Sequence, residues 1–141
     1  LRILMAIIGG AGNPVGGSFT GPAEALEVIG DHAYAYSGAL TAAGADEADT
    51  TAFNFTTGNY YSVLNLSALT GFTGNEDRYV EVSMNGTVII SVKADASPDF
   101  YNVFPLEMII PTYTDILVKF GVSGGGVFNL AFSGRIYRTT D

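Results

Sequence analysis

The side chains able to do chemistry in this chain are few and scattered. His32 is the only histidine, and cysteine is absent from all 141 residues. A zinc site lacking thiolates and a second imidazole would have to be built almost wholly from carboxylates. The lack of Cys also removes disulfides, thiolate metal centres and a Cys nucleophile, while leaving the compartment open. A Ser–His–acid relay could draw on His32 alone. A single His at the head of a strand reads most simply as structural or exposed.

Paired carboxylates can hydrolyse sugars when two of them flank a glycosidic bond. The candidates are Asp46, Glu47, Asp49, Asp77, Asp95, Asp99, Glu76 and Glu107. Most stand beside Ala, Gly or Asn in stretches that read as loops, where solvation accounts for them. Glu81 and Glu107 fall inside strand-like runs and are expected to point outward. Asp46-x-x-Asp49 and Asp95…Asp99 offer oxygens of the kind calcium takes, but neither follows a known loop pattern. The Gly-rich runs Gly9–Gly21 and Gly124–Gly126 lack the Lys and the strand–helix setting of a phosphate cradle. The residues therefore give no catalytic group, no cofactor site and no metal site to expect.

Tyrosine is the remaining chemistry. Tyr34, Tyr36, Tyr60, Tyr61, Tyr101 and Tyr113 could stack on sugar rings, as in a carbohydrate-binding or receptor-binding module of head-fibre type. Tyr also serves protein interfaces, where one end is apolar and the other forms hydrogen bonds. There is no Trp, which weighs toward core or interface.

Composition narrows the partners. The chain is 48% hydrophobic and 14% charged, with a net charge of −8. A soluble domain typically carries about a quarter of its residues as charges. So low a share implies that other chains cover part of the surface. The cations are Arg2, Arg78, Lys93, Lys119, Arg135 and Arg138. They are not clustered, so a phosphate backbone finds no footprint, and an acidic chain is repelled by nucleic acid and anionic membranes alike. No apolar run approaches the ~20 residues that span a bilayer. Neither nucleic acid nor membrane is an expected partner.

These residues must be positioned by strands. Phe104 to Tyr137 is the richest stretch in apolar and β-branched residues. It reads as three consecutive strands forming a closing sheet: Leu106–Ile110, Ile116–Val122 and Val127–Tyr137. Pro111-Thr112-Tyr113-Thr114 breaks the first pair, and Ser123-Gly124-Gly125-Gly126 turns the second. Upstream, residues 32–40 alternate, with His32, Tyr34, Tyr36 and Leu40 on one face. Thr51–Thr56 follows, with Phe53 and Phe55 inward. Tyr60–Leu69 comes next, with Tyr61, Val63, Leu64 and Leu66 as packing candidates. Tyr79–Met84 and Thr87–Val92 flank Asn85-Gly86, a pair that tolerates the positive φ of a type I′ hairpin. Thr41–Thr50 and Thr70–Asp77 read as loops. Ala25–Ile29 is a short strand or one turn of helix. Pro22 and Gly30 suit the start and stop of a helix there.

Eight strands without intervening helices predict an all-β fold: an antiparallel eight-stranded sandwich of jelly-roll type with an extended N-terminal arm. Residues 23–141 form the sandwich. Residues 1–22 form an apolar arm, Leu1–Ile8, and a Gly-rich tether. Free in water the arm would be an aggregation hazard, so it is expected to dock, with Leu1, Ile3, Leu4, Ile7, Ile8 and Phe19 as partner-binding side chains. Leu1 in place of an initiator Met leads us to expect residues upstream of it.

The C-terminal stretch carries a resemblance. Pro105-Leu106-Glu107-Met108-Ile109-Ile110-Pro111-Thr112-Tyr113-Thr114-Asp115, Ile116–Phe120 and Phe128–Tyr137 resemble the end of small jelly-roll structural proteins of tailed bacteriophages. The shared pattern is a strand, an Ile-Pro-x-x-Thr corner, a strand, a loop and a last strand ending near Gly-Arg-x-Tyr. It covers about a quarter of the chain. Such proteins decorate or cement capsids, commonly as trimers between major capsid subunits. The resemblance implies a non-enzymatic virion protein on the capsid exterior, with the major capsid protein and itself as partners. It carries over no catalytic residue.

Overall fold

The computed structural model describes residues 22–44, 46–68, 77–94 and 105–138. Among them there is no helix. There are eleven strands: β1 Glu27–Ile29, β2 His32–Tyr36, β3 Leu40–Ala42, β4 Thr50–Thr56, β5 Tyr61–Ala68, β6 Arg78–Met84, β7 Thr87–Ala94, β8 Leu106–Ile110, β9 Asp115–Val122, β10 Gly126–Phe128 and β11 Leu130–Tyr137. Every strand pair is antiparallel. They form a four-stranded sheet, β4-β9-β6-β7, a five-stranded sheet, β1-β2-β11-β5-β8, and a small pair, β10-β3.

The all-β class was legible in the alternation, and the core follows from it. One cluster of buried side chains draws on both large sheets: Phe53 and Phe55 of β4, Val80 and Val82 of β6 and Ile116, Val118 and Phe120 of β9 meet Leu64 and Leu66 of β5, Met108 and Ile110 of β8 and Phe132 of β11. The ring of Phe132 lies 4.8 Å from that of Phe53, and edge-on to Phe55 at 5.9 Å. Such tilted aromatic pairs add about 0.5–1.5 kcal/mol beyond the area they bury. Arg78, at the head of β6, is fully buried.

The hairpin at Asn85-Gly86 forms as its residues require. Asn85 has φ 52° and Gly86 φ 83°, and Met84 pairs with Thr87. Asn85 also ties the turn to the next strand. Its N–H donates to the Asp115 carbonyl at 2.9 Å, and its Oδ1 accepts from the Asp115 N–H at 2.9 Å.

Several expectations are corrected. The closing sheet does not exist as a unit: β8 and β11 lie in the five-stranded sheet with β5 between them, whereas β9 lies in the four-stranded sheet. The corner 111–114 is not a hairpin turn but a crossing between sheets. Thr57 stitches it in place. Its hydroxyl donates to the Pro111 carbonyl at 2.8 Å and accepts from the Thr114 N–H at 2.9 Å. Thr57 and Thr114 also share a backbone bond, and the Tyr113 N–H reaches the Gly58 carbonyl at 3.1 Å. With these bonds the corner holds Tyr113 at a left-handed φ of 49°.

The long runs 32–40 and 127–137 each break in two. Ser37 is fully buried, and it exchanges bonds with Leu130 through its N–H at 3.0 Å and its hydroxyl at 2.9 Å. The side chain thus takes over one ladder bond where β2 and β11 stop. Beyond it the pair continues as β3 with β10, so Thr41 and Ala42 are strand rather than loop. Of the two readings of Ala25–Ile29, the short strand holds, as β1, and no helix forms there. Ala23 instead makes a parallel bridge to Phe53 on the outer edge of β4, and β1 pairs with β2. Finally, the inward side of β5 is Ser62, Leu64 and Leu66, all fully buried, so Tyr61 and Val63 face outward.

Candidate functional site

The outer face of the five-stranded sheet gathers the side chains that the core does not use. Strand registers place them in rows across the strands. Ile29 of β1, His32 of β2, Arg135 of β11, Val63 of β5 and Ile109 of β8 form one row. Tyr137 and Tyr61 stand directly opposite each other in the next row toward the ends of β11 and β5. Cross-strand neighbours of this kind are about 4.5–5.5 Å apart at Cβ, close enough to act as one surface. The corner is open to solvent: Ile109 is 64% exposed, Tyr137 52% and Tyr61 44%. Pro111, which follows Ile110 on β8, is exposed beside it. On this face Arg135 pairs with Asp31 at 3.7 Å, with both side chains more than half exposed. Solvent screens such a pair, so it contributes little.

On the other side of that row lies a polar one: Glu27 of β1, Tyr34 of β2, Ser133 of β11, Asn65 of β5 and Glu107 of β8. Tyr36 flanks it, its ring centroid 5.1 Å from that of Tyr34. Burial pushes the Glu27 carboxyl above the ordinary glutamate range. The Tyr34 phenol is also pushed up, by burial first, then by the Glu27 carboxylate and by Tyr36.

Strand β11 reaches this face through a close approach. A Cβ at Gly134 would stand 2.0 Å from the Val63 carbonyl oxygen and 2.9 Å from the Leu64 Cα. Only Gly lets β11 sit so tightly on β5 at this point. The Gly134-Arg135-Ile136-Tyr137 ending thus has a local cause: Gly134 for contact, Ile136 for the core, Arg135 and Tyr137 for the surface.

The acidic candidates do not converge. Asp46 accepts from the Ser123 hydroxyl at 2.7 Å, Asp49 from Thr50 at 3.1 Å, and Asp77 pairs with Lys93 at 3.6 Å. Glu107 stands on the outer face of the other sheet. Asp115 takes a hydrogen bond from the Thr56 hydroxyl. Among the described residues no three His, Cys, Asp or Glu side chains come together as metal ligands. Glu76, Asp95, Asp99 and Tyr101 lie outside the described residues, as do Leu1, Ile3, Leu4, Ile7, Ile8 and Phe19.

Ser123, read from the sequence as the start of a turn, also falls in a second pattern. It sits in Gly121-Val122-Ser123-Gly124-Gly125, which has the spacing of a nucleophile elbow. An elbow needs a strand-to-helix turn that presents its Ser to a His. Ser123 instead turns β9 toward β10, and its partner is Asp46. His32 belongs to the outer face of the five-stranded sheet. The spacing is a turn motif here. Tyr137 and Ile109, the most exposed apolar pair of the corner, escaped notice. Their only signal was their outward parity beside buried Ile136 and Ile110. No family model matches the chain, nor does any curated protein or solved structure.

Proposed function

We propose that this chain is a non-enzymatic virion structural protein, a capsid decoration or cement protein that self-associates as a trimer on the capsid exterior. Its partners are the major capsid protein and further copies of itself. The observation that carries this reading is the open corner of the five-stranded sheet. Tyr61, Tyr137, Ile109 and Val63 converge there on a chain that is only 14% charged. Burying such surface stabilises contacts by about 25 cal/mol per Å², before the costs of association. Tyr, with an apolar ring and a hydrogen-bonding end, is suited to that work. A symmetric trimer engaging several capsid subunits at once turns weak contacts into firm attachment.

The strand order favours the finer fold on which this reading draws. With the three-residue strands set aside, β2-β11-β5-β8 faces β4-β9-β6-β7. Chain order alternates between the sheets at the crossings 57–60 and 111–114. Two interleaved Greek keys would produce such an order, and this supports reading the sandwich as a jelly roll. Leu1–Ile8 acts in this account as a strand-adding latch, tethered to the point where Ala23 docks on β4. Removing residues 1–20 is expected to leave a folded body that no longer holds to purified shells in an add-back assay. A truncated protein that reaches full occupancy would defeat the latch.

A further inference from the structure

The polar row on the five-stranded sheet is built for a different ligand from the apolar corner. It strings a carboxylate, a phenol, a hydroxyl, an amide and a second carboxylate across five adjacent strands, from Glu27 to Glu107. Four interstrand spacings of ~4.8 Å make the row ~19 Å long. Tyr34 and Tyr36 stand side by side toward one end, their ring centroids 5.1 Å apart and their planes tilted by 42°. Ser133 and Asn65, in the middle, are small enough to leave the row shallow between the tyrosines and Glu107. One carboxylate oxygen of Glu27, Oε2, is shielded from solvent and accepts no hydrogen bond from the described residues. A shielded acceptor without a donor is costly unless something supplies one.

We infer that this row is a binding site for a neutral oligosaccharide lying across the strands, with a sugar ring on Tyr34 and Tyr36 and its hydroxyls on Glu27, Asn65, Ser133 and Glu107. A sugar offers an apolar C–H face for aromatic packing and a rim of hydroxyls that both donate and accept. The row supplies both kinds of partner in that order. Glu27 and Glu107, on a chain of net charge −8, repel sulfated, sialylated or uronic chains, so the ligand is uncharged. This inference does not rest on the capsid reading, because the apolar corner and the polar row share no side chain.

The test is a glycan array probed with the full-length chain, carrying neutral cello-, malto-, xylo- and chito-oligosaccharides beside sulfated and sialylated glycans. Titration calorimetry on the best neutral hit follows. Asn65→Ala and Glu107→Ala change half-buried or exposed side chains, so they fold, and each is expected to weaken binding about tenfold, the loss of one good hydrogen bond. Tyr34→Ala is expected to abolish binding. Tyr61→Ser and Ile109→Ser, in the corner, are expected to leave it unchanged. An array with no neutral hit overturns the proposal. So does a preference for anionic glycans, or binding that the corner variants remove and the row variants leave intact.

Discussion

Replacing Thr57 with Val tests whether the crossing between sheets is held by one side chain. Val keeps the shape of Thr but has no hydroxyl. Two bonds are lost: the donation to the Pro111 carbonyl at 2.8 Å and the acceptance from the Thr114 N–H at 2.9 Å. They are not equal. Pro111 is exposed, so water replaces the first at little cost. Thr114 is 4% exposed and Thr57 3%, so the Thr114 N–H is left without a partner and away from water. Stranding a buried donor costs about 1–3 kcal/mol. With ~0.5 kcal/mol for the Pro111 bond, the loss should be about 2–3 kcal/mol. For a domain of this size that is a fall in Tm of roughly 6–10 °C. Thr57→Ser keeps the hydroxyl and should cost under ~1 kcal/mol. Urea denaturation of the three proteins, followed by far-ultraviolet dichroism, reads the difference. Equal stability of the Val and Ser variants would refute the claim that the hydroxyl holds the corner.

Two further predictions concern the face itself. Gly134→Ala drives a methyl group against the Val63 carbonyl and should cost at least ~2 kcal/mol, because backbone cannot move aside cheaply. Gly30→Ala, where no atom stands within 4 Å but φ is +60°, should cost only ~1 kcal/mol from backbone strain; denaturation midpoints in the reverse order would contradict this assignment. The Glu27 carboxyl has a raised pKa in the folded chain, so its contribution to stability is fully present below the ordinary glutamate value. It is lost as pH rises through the raised one. Relative to Glu27→Gln, the natural chain should therefore weaken as pH climbs through that window, in thermal melts taken at closely spaced pH. A difference that is flat with pH, or that runs the other way, would show that burial does not act on this carboxyl.

How far these features could be read from residues alone depended on how local their cause is. The Asn85-Gly86 hairpin was legible because the two residues that adopt positive φ are the ones that tolerate it. The all-β class was legible because alternation is local too. Sheet membership was not. Pro111–Thr114 and Ser123–Gly126 look like turns between neighbours, and only Thr57, more than fifty residues upstream of Thr114, reveals the first as a crossing. Parity failed on β5, because Tyr61-Ser62-Val63-Leu64-Asn65-Leu66 carries apolar side chains on both faces, and Ser62 is the one buried at its head. The break at Ser37 was hidden for a related reason. A buried hydroxyl standing in for a ladder bond leaves no mark in hydropathy. The outer face was the least legible feature, since its rows join five strands drawn from residues 27 to 137 and exist only in the registers.

The open corner carries the account, and the mass of the particle in solution is its most direct test. Sedimentation equilibrium of the full chain at micromolar concentration should give a trimer. The chain carrying Tyr61→Ser, Ile109→Ser and Tyr137→Ser together should sediment as a folded monomer. A natural chain that is monomeric throughout, or a triple variant that assembles as well as the original, would contradict it.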